Sequence, residues 1–162
     1  MAKIIPNQNT WIGFIADLVT AGSTISLPKV DDIDDAIDVT PFVISLNAAS
    51  QGNVVPTPSL DSLFETSIPG TSQASFSGDF YRDDTDDDAW DAFVRGASGY
   101  FLVSRFGGTG TGGRPIATEH LEVWPVFIVS KTMANMANNT VETFTLTCSV
   151  PVEPDEDAVA TA

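Results

Sequence analysis

Gln73-Ala74-Ser75-Phe76-Ser77-Gly78-Asp79-Phe80-Tyr81 is the stretch that decides the fold. Ala74, Phe76, Gly78 and Phe80 fall on one side of an extended chain; Ser75, Ser77 and Asp79 fall on the other. Apolar residues in strict alternation with polar ones read as a strand of an antiparallel sheet, packed on one face and wet on the other. Thr140–Val150 repeats the pattern. There Phe144, Leu146, Cys148 and Val150 point inward, and Thr143, Thr145, Thr147 and Ser149 point outward.

Working outward, the rest of the chain also reads as strands. Trp11–Ala16 is apolar on both faces, which predicts a strand covered on both sides. Residues 18–36 read as a long polar connection, Asp38–Leu46 as a second strand with Pro41 at an edge or bulge, and Asn47–Pro58 as an exposed loop. Ser62–Ile68, Gly99–Phe106 and His120–Met133 complete the strands, the last with Pro125 inside it. One helix is predicted over residues 86–95. Thr85 is its N-cap, Asp88 closes a capping-box-like pair, Asp86, Asp87 and Asp88 suit the helix dipole, and Gly96 takes the C′ position. Trp90 and Phe93 lie on its apolar stripe and anchor it to a sheet. The expected organisation is an N-terminal arm (1–10), a β-domain (11–150) and an acidic C-terminal tail (151–162). The fold class is all-β with one short helix: two packed antiparallel sheets, a sandwich or partial barrel.

Composition narrows the function. The 162 residues carry 7 basic and 22 acidic side chains, a net charge of −15, with 43% apolar residues. That apolar fraction supports a core and excludes a disordered acidic chain. The charge opposes a nucleic-acid-binding surface, since duplex phosphates would be repelled. Fifteen of the acids fall in three clusters, Asp31–Asp38, Asp83–Asp91 and Glu153–Asp157, each expected to be solvated. One Cys and one His cannot build a disulfide framework or a zinc site. No apolar run reaches the ~18 residues of a membrane span, and the first ten residues lack the apolar stretch of a signal peptide, so synthesis in a cytoplasm is expected.

Motifs of catalysis fare poorly. Gly108-Thr-Gly110-Thr-Gly112-Gly113 matches GxGxxG but opens no helix that could face a pyrophosphate, and reads as a mobile hairpin loop. Asp84-x-Asp86-x-Asp88 starts like a calcium loop, but Ala89 and Arg95 stand where Gly and Glu are required. His120 has no nucleophile nearby in sequence, and Cys148 reads as a small core hydrophobe. No catalytic, metal or cofactor residue is therefore assigned, and an enzyme is not expected.

Several segments in order carry a family likeness: Asn9-Thr10-Trp11, Thr40-Pro41-Phe42, Leu63–Gly70, Phe80-Tyr81-Arg82-Asp83-Asp84 leading to Asp88-Ala89-Trp90, Arg95-Gly96, Gly99-Tyr100 and Val123-Trp124-Pro125-Val126. Across residues 9–152 the chain resembles the major tail tube proteins of long, non-contractile-tailed bacteriophages, particularly those of actinobacteria. The Gly22–Asp38 connection departs from the likeness in its acidity. The resemblance implies a virion subunit that forms hexameric rings, closes an inner β-barrel between subunits and stacks into a hollow tube. It implies as partners other copies of itself, a tape-measure protein in the lumen, tail terminator and tail tip proteins, and duplex DNA passing without specific binding. On that reading Ser75, Ser77, Asp79, Thr143, Thr145 and Thr147 are lumen-lining candidates. Lys3, Asn7, Asn9, Gln51, Asn53 and Pro56 are ring-stacking candidates. The competing expectation on the same fold is a virion decoration or adhesin-like module.

Overall fold

Trp11–Ile15 forms the first strand, β1, and what lies on its two faces explains its unbroken apolar run. Ile12 and Phe14 enter a main core with Phe76, Phe80, Phe93, Phe101, Trp124, Phe144 and Leu146. Trp11 enters a second, smaller core on the opposite face, with Ile33, Leu102, Leu121, Val123, Ala158 and Ala160. Full burial of such side chains stabilises by about 1.5–3 kcal/mol each, so the aromatic main core dominates. The computed structural model describes residues 9–58 and 66–162.

The remaining elements are α1 (Val30–Asp35), β2 (Ile37–Asp38), β3 (Val43–Thr57), β4 (Thr66–Tyr81), α2 (Asp88–Ala92), β5 (Ser98–Ser104), β6 (His120–Met133), β7 (Thr143–Ser149) and β8 (Asp155–Val159). The strand order is β2-β1-β5-β6-β7-β4-β3, with β8 also on β6, and the strand pairs are antiparallel. Val123 pairs with both Leu102 and Asp155, and Phe127 with both Ser98 and Ser149. β8 and β7 therefore follow one another along the edge of β6 that faces away from β5. Pro125 sits between them, where its missing N–H costs no ladder bond. The sheet curls on itself: the ring of Phe76 on β4 stacks on Phe101 of β5 at 4.4 Å between centroids, although two strands separate them in the sheet. The predicted all-β class stands, built from one long curled sheet.

Several local expectations are corrected. The second strand expected at Asp38–Leu46 is split: a 3-10 turn at Thr40–Phe42, with Pro41 inside it, separates β2 from β3. The polar connection at 18–36 contains α1, and its Asp32 is fully buried. Thr20 donates to Asp32 Oδ1 from its N–H at 3.0 Å and its hydroxyl at 2.7 Å. Burial pushes this carboxyl up, but hydrogen bonds from Ser23 and Thr20 outweigh that and hold it below its ordinary value. Arg114 closes the other end of α1 by donating to the Ile33 and Asp34 carbonyls.

The exposed loop expected at Asn47–Pro58 is instead the body of β3. Its turn-forming residues mislead because β3 is an edge strand, where Pro56 opposite Ser67 is tolerated. Of the strand expected at Ser62–Ile68, residues 62–65 lie outside the described residues, and from Thr66 onward it runs unbroken into β4.

The predicted helix shrinks to Asp88–Ala92. Asp83 accepts from the N–H groups of Thr85 and Asp86 at 2.9 and 3.3 Å, and this turn takes the place of the Thr85 cap. Arg82 draws Asp87 into an ion pair. Gly96 has the expected positive φ, +85°, but in the turn to β5, where its N–H donates to the Ile128 carbonyl.

The expected acidic tail is ordered. β8 pairs with β6, Ala158 and Ala160 are buried, and Thr161 bonds back to Pro28. Alternation of acid with small apolar residues, rather than charge density, is the relevant signal there. The Gly-rich loop is also pinned: Glu119 accepts from the N–H and hydroxyl of Thr109 and from the Ile116 N–H.

Candidate assembly surfaces

The polar sides of the two alternating strands lie next to one another. Ser75 pairs with Ser149, Ser77 with Thr147, Asp79 with Thr145 and Tyr81 with Thr143. Directly opposed residues of an antiparallel pair share a face. All six lumen candidates named from sequence, Ser75, Ser77, Asp79, Thr143, Thr145 and Thr147, therefore belong to one surface. β3 extends it with Ser45 opposite Asp79 and Asn47 opposite Ser77; β6 extends it with Thr132 opposite Thr145 and Ser130 opposite Thr147. The result is a four-stranded sheet, β3-β4-β7 and the second half of β6, with a core face and a hydroxyl-rich face.

Asp79 is the carboxylate on this face. It accepts from the Ser45 hydroxyl at 3.0 Å on one oxygen and from the Thr145 hydroxyl at 2.6 Å on the other. The bonds cross three strands and fix their lateral register. Sequence reasoning misses Ser45, Asn47, Ser130 and Thr132 as members of the surface. Period-2 alternation of Ser45, Asn47 and Ala49 with Leu46 and Ala48 is the available signal, but strand order is not available from it.

Beyond Ser75, β4 leaves β7 and continues with β3 as a two-stranded arm, pairing Gln51 with Gln73 through Thr57 with Thr66. Its residues are exposed, including Val54 at 63% and Ile68 at 54%. A lone hairpin is marginal in water, and exposed Val and Ile at its surface suit a protein contact. Gln51, Asn53 and Pro56 all lie on this arm. Asn9 is exposed at the entry to β1, passing so close to Gly107 that a Cβ there would meet its carbonyl at 2.0 Å. Lys3 and Asn7 lie outside the described residues.

Among the described residues both ends of the four-stranded sheet are open. β3 is terminal in the strand order. On β6, pairing with β5 ends at Phe127, and the Ala97 carbonyl and Gly96 N–H serve Ile128. From Val129 to Met133 no described strand flanks β6 on that side.

The helix anchors behave differently from one another. Phe93 is fully buried against Phe14, Phe80, Phe101 and Phe144. Trp90 is half-buried, edge-on to Phe144 at 5.0 Å, with Lys131 Nζ 3.7 Å and the Arg82 guanidinium 4.4 Å from its ring centre. Lys131 also donates to the Trp90 carbonyl at 2.6 Å. Burial lowers the Lys131 pKa.

The described cations are mostly engaged inside the subunit. Arg82 pairs with Asp87 and Arg105 with Glu122; Arg114, Lys131 and Lys29 donate to carbonyls. His120 is exposed and bonded to Asp157 at 2.7 Å. Among the described residues no group of His, Cys, Asp and Glu is arranged to hold a metal ion, and no helix is long and apolar enough to cross a membrane.

Comparison with known families supplies the deciding observation: a model described as phage tail tube protein matches residues 3–162. The chain belongs to the phage tail tube protein family. It is thus a structural subunit of the virion tail, as the ordered motifs implied. Among curated proteins, none matches the chain. Solved structures resemble the fold of this tail tube protein. A chain of the tail of an empty gene transfer agent particle, refined helically with C6 symmetry, is 18% identical with a TM-score of 0.58, covering 97% of this chain and 100% of that one. A chain of the native gene transfer agent virion is 18% identical at 0.57, covering 93% and 97%. A chain of the anti-feeding prophage baseplate, six-fold symmetrised, is 9% identical at 0.57, covering 95% of each.

Proposed function

We propose that this tail tube protein closes hexameric rings through the two open edges of its four-stranded sheet, with the hydroxyl-rich face lining the lumen, in a tail of the long non-contractile type. The observation that carries the reading is the combination in one sheet of a buried face, a polar face and two unpaired edges. An exposed edge must be paired, covered or blunted, and pairing β3 of one copy with β6 of the next removes both at once. The C6 and six-fold symmetry of the similar tail and baseplate structures supports a ring of six.

Rings stack head to tail, a contact that repeats without closing and so makes a filament. The β3–β4 arm with Gln51, Asn53 and Pro56, together with the N-terminal arm (Lys3, Asn7, Asn9), makes that contact. The lumen holds the tape-measure protein during assembly and passes duplex DNA during ejection, and terminator and tip proteins cap the two ends. No bond is made or broken. Duplex DNA carries one charge per ~1.7 Å of axis, and a basic wall would hold it. A wall of hydroxyls with Asp79 as its charge repels DNA over roughly a Debye length, ~8 Å at physiological salt.

Negative-stain microscopy of the concentrated protein tests the proposal. Hollow tubes with six-fold cross-sections are expected, and deletion of residues 1–8 should leave rings or monomers. Discrete monomers or trimers from the intact chain would instead support the decoration-module reading.

A further inference from the structure

Arg95 stands apart from the other described cations. It is exposed, and among the described residues no carboxylate or carbonyl engages it. Its position is informative: Gly96 and Ala97 bond to Ile128, the last residue of β6 before the open edge. Arg95 and Val94, itself 58% exposed, thus flank one open edge of the four-stranded sheet. The other open edge, β3, begins beside a surface groove lined by Asp38, Asp83, Asp86 and Asp88 with Phe42 and Tyr81; Arg82 also lines it, its charge taken up by Asp87. Asp86 and Asp88 are exposed, and among the described residues their side chains have no hydrogen-bond or ion-pair partner.

We infer that Arg95 and Val94 of one copy dock into this groove on the next copy, making the subunit-to-subunit contact directional. This rests on the ring closure proposed above. Head-to-tail closure brings a β6 edge against a β3 edge, so the cation beside one edge meets the carboxylates beside the other. The groove offers apolar surface from Phe42 and Tyr81 to Val94 and to the aliphatic stem of the arginine. Subunits of charge −15 repel one another, and an unengaged arginine facing unengaged carboxylates offsets that repulsion at one place only. A β3 edge meeting a β3 edge would oppose two acidic grooves, which like charge disfavours.

Charge reversal in the full-length protein tests this. Arg95→Asp should keep the monomer's thermal midpoint, because the residue has no partner among the described residues. It should reduce the assembled fraction at least tenfold in sedimentation and micrographs. Asp86→Lys with Asp88→Lys should do the same. Mixing the two folded variants should restore assembly. Alternating copies in an even-numbered ring bring the introduced aspartate against the introduced lysines, and Arg95 against the native Asp86 and Asp88. Normal assembly of Arg95→Asp, or failure of the mixture while both variants stay folded, overturns the inference. If the unmodified protein forms no rings, the ring proposal fails with it; if only the variants behave contrary to expectation, the ring proposal stands and Arg95 is not its key.

Discussion

Residues 75–81 and residues 66–73 belong to the same strand, β4, yet they face opposite circumstances. The first part is bonded on both sides, to β3 and β7, and drives Phe76 and Phe80 into the main core. The second part is bonded only to β3 and lies exposed with Val54, Val55 and Ile68. Both parts are extended strand, with a register irregularity opposite Gly52–Val54 in the second; it is tertiary company that sets them apart. Stability of the free subunit is concentrated in the first part, while the second presents surface whose burial needs another molecule.

The comparison breaks if core substitutions are mild or if arm substitutions unfold the monomer. Phe93→Ala removes a ring that contacts four other phenylalanines. It should cost about 3–5 kcal/mol in urea denaturation of the monomer. Trp90→Ala should cost less, about 2–3 kcal/mol, because the ring is half-buried and loses Lys131 and Arg82 from its surface as well as Phe144. Trp90→Phe, keeping the ring packing and weakening the cation contacts, should recover most of that loss in the same titration.

A pH series sharpens the comparison at a third place, the Gly-rich loop. The Ile116 N–H, then Thr109, hold the Glu119 carboxyl below its ordinary value. A carboxylate lowered in the folded state contributes its full support above its unfolded value and loses it as pH falls through the lowered one. Amide protection at Thr109 and Ile116 should therefore decline below about pH 4, while protection in β4 and β7 persists. Glu119→Gln should abolish that pH dependence. The smallest expected effect is in the arm: Ile68→Ser should move monomer stability by no more than about 0.5 kcal/mol, with tube formation lost.

Much of this division is legible in residue order. Strict alternation in 73–81 and 140–150 identifies the two strands that build the polar face, and even their side-chain directions. The two-sided apolar run at Trp11–Ile15 announces cover on both faces. What it cannot announce is the identity of the cover: α1 and β8 come from segments whose acidity reads as solvent exposure. Asp32 shows the reason. A buried carboxylate held by Thr20 and Ser23 looks, in sequence, like its solvated neighbours Asp31 and Asp34. The β3 arm is hidden for a related reason. Gly52, Asn53 and Pro56 punctuate loops in general, but an edge strand tolerates them. The open edges and the isolation of Arg95 are properties of pairing, which no local pattern encodes.

Cys148 gives the protein a practical handle. Its thiol is buried on the core face of β7, and burial alone pushes its pKa up to about 12. At neutral pH it holds almost no thiolate, the form that reacts with maleimides and disulfide reagents. Because the sequence has one cysteine, the native surface is chemically silent to such reagents. A cysteine placed at Thr145, on the opposite face of the same strand, would be the sole reactive site. Labelling it in free subunits and again in assembled tubes, with reagents too bulky for a narrow bore, would read directly which side of the sheet the assembly encloses.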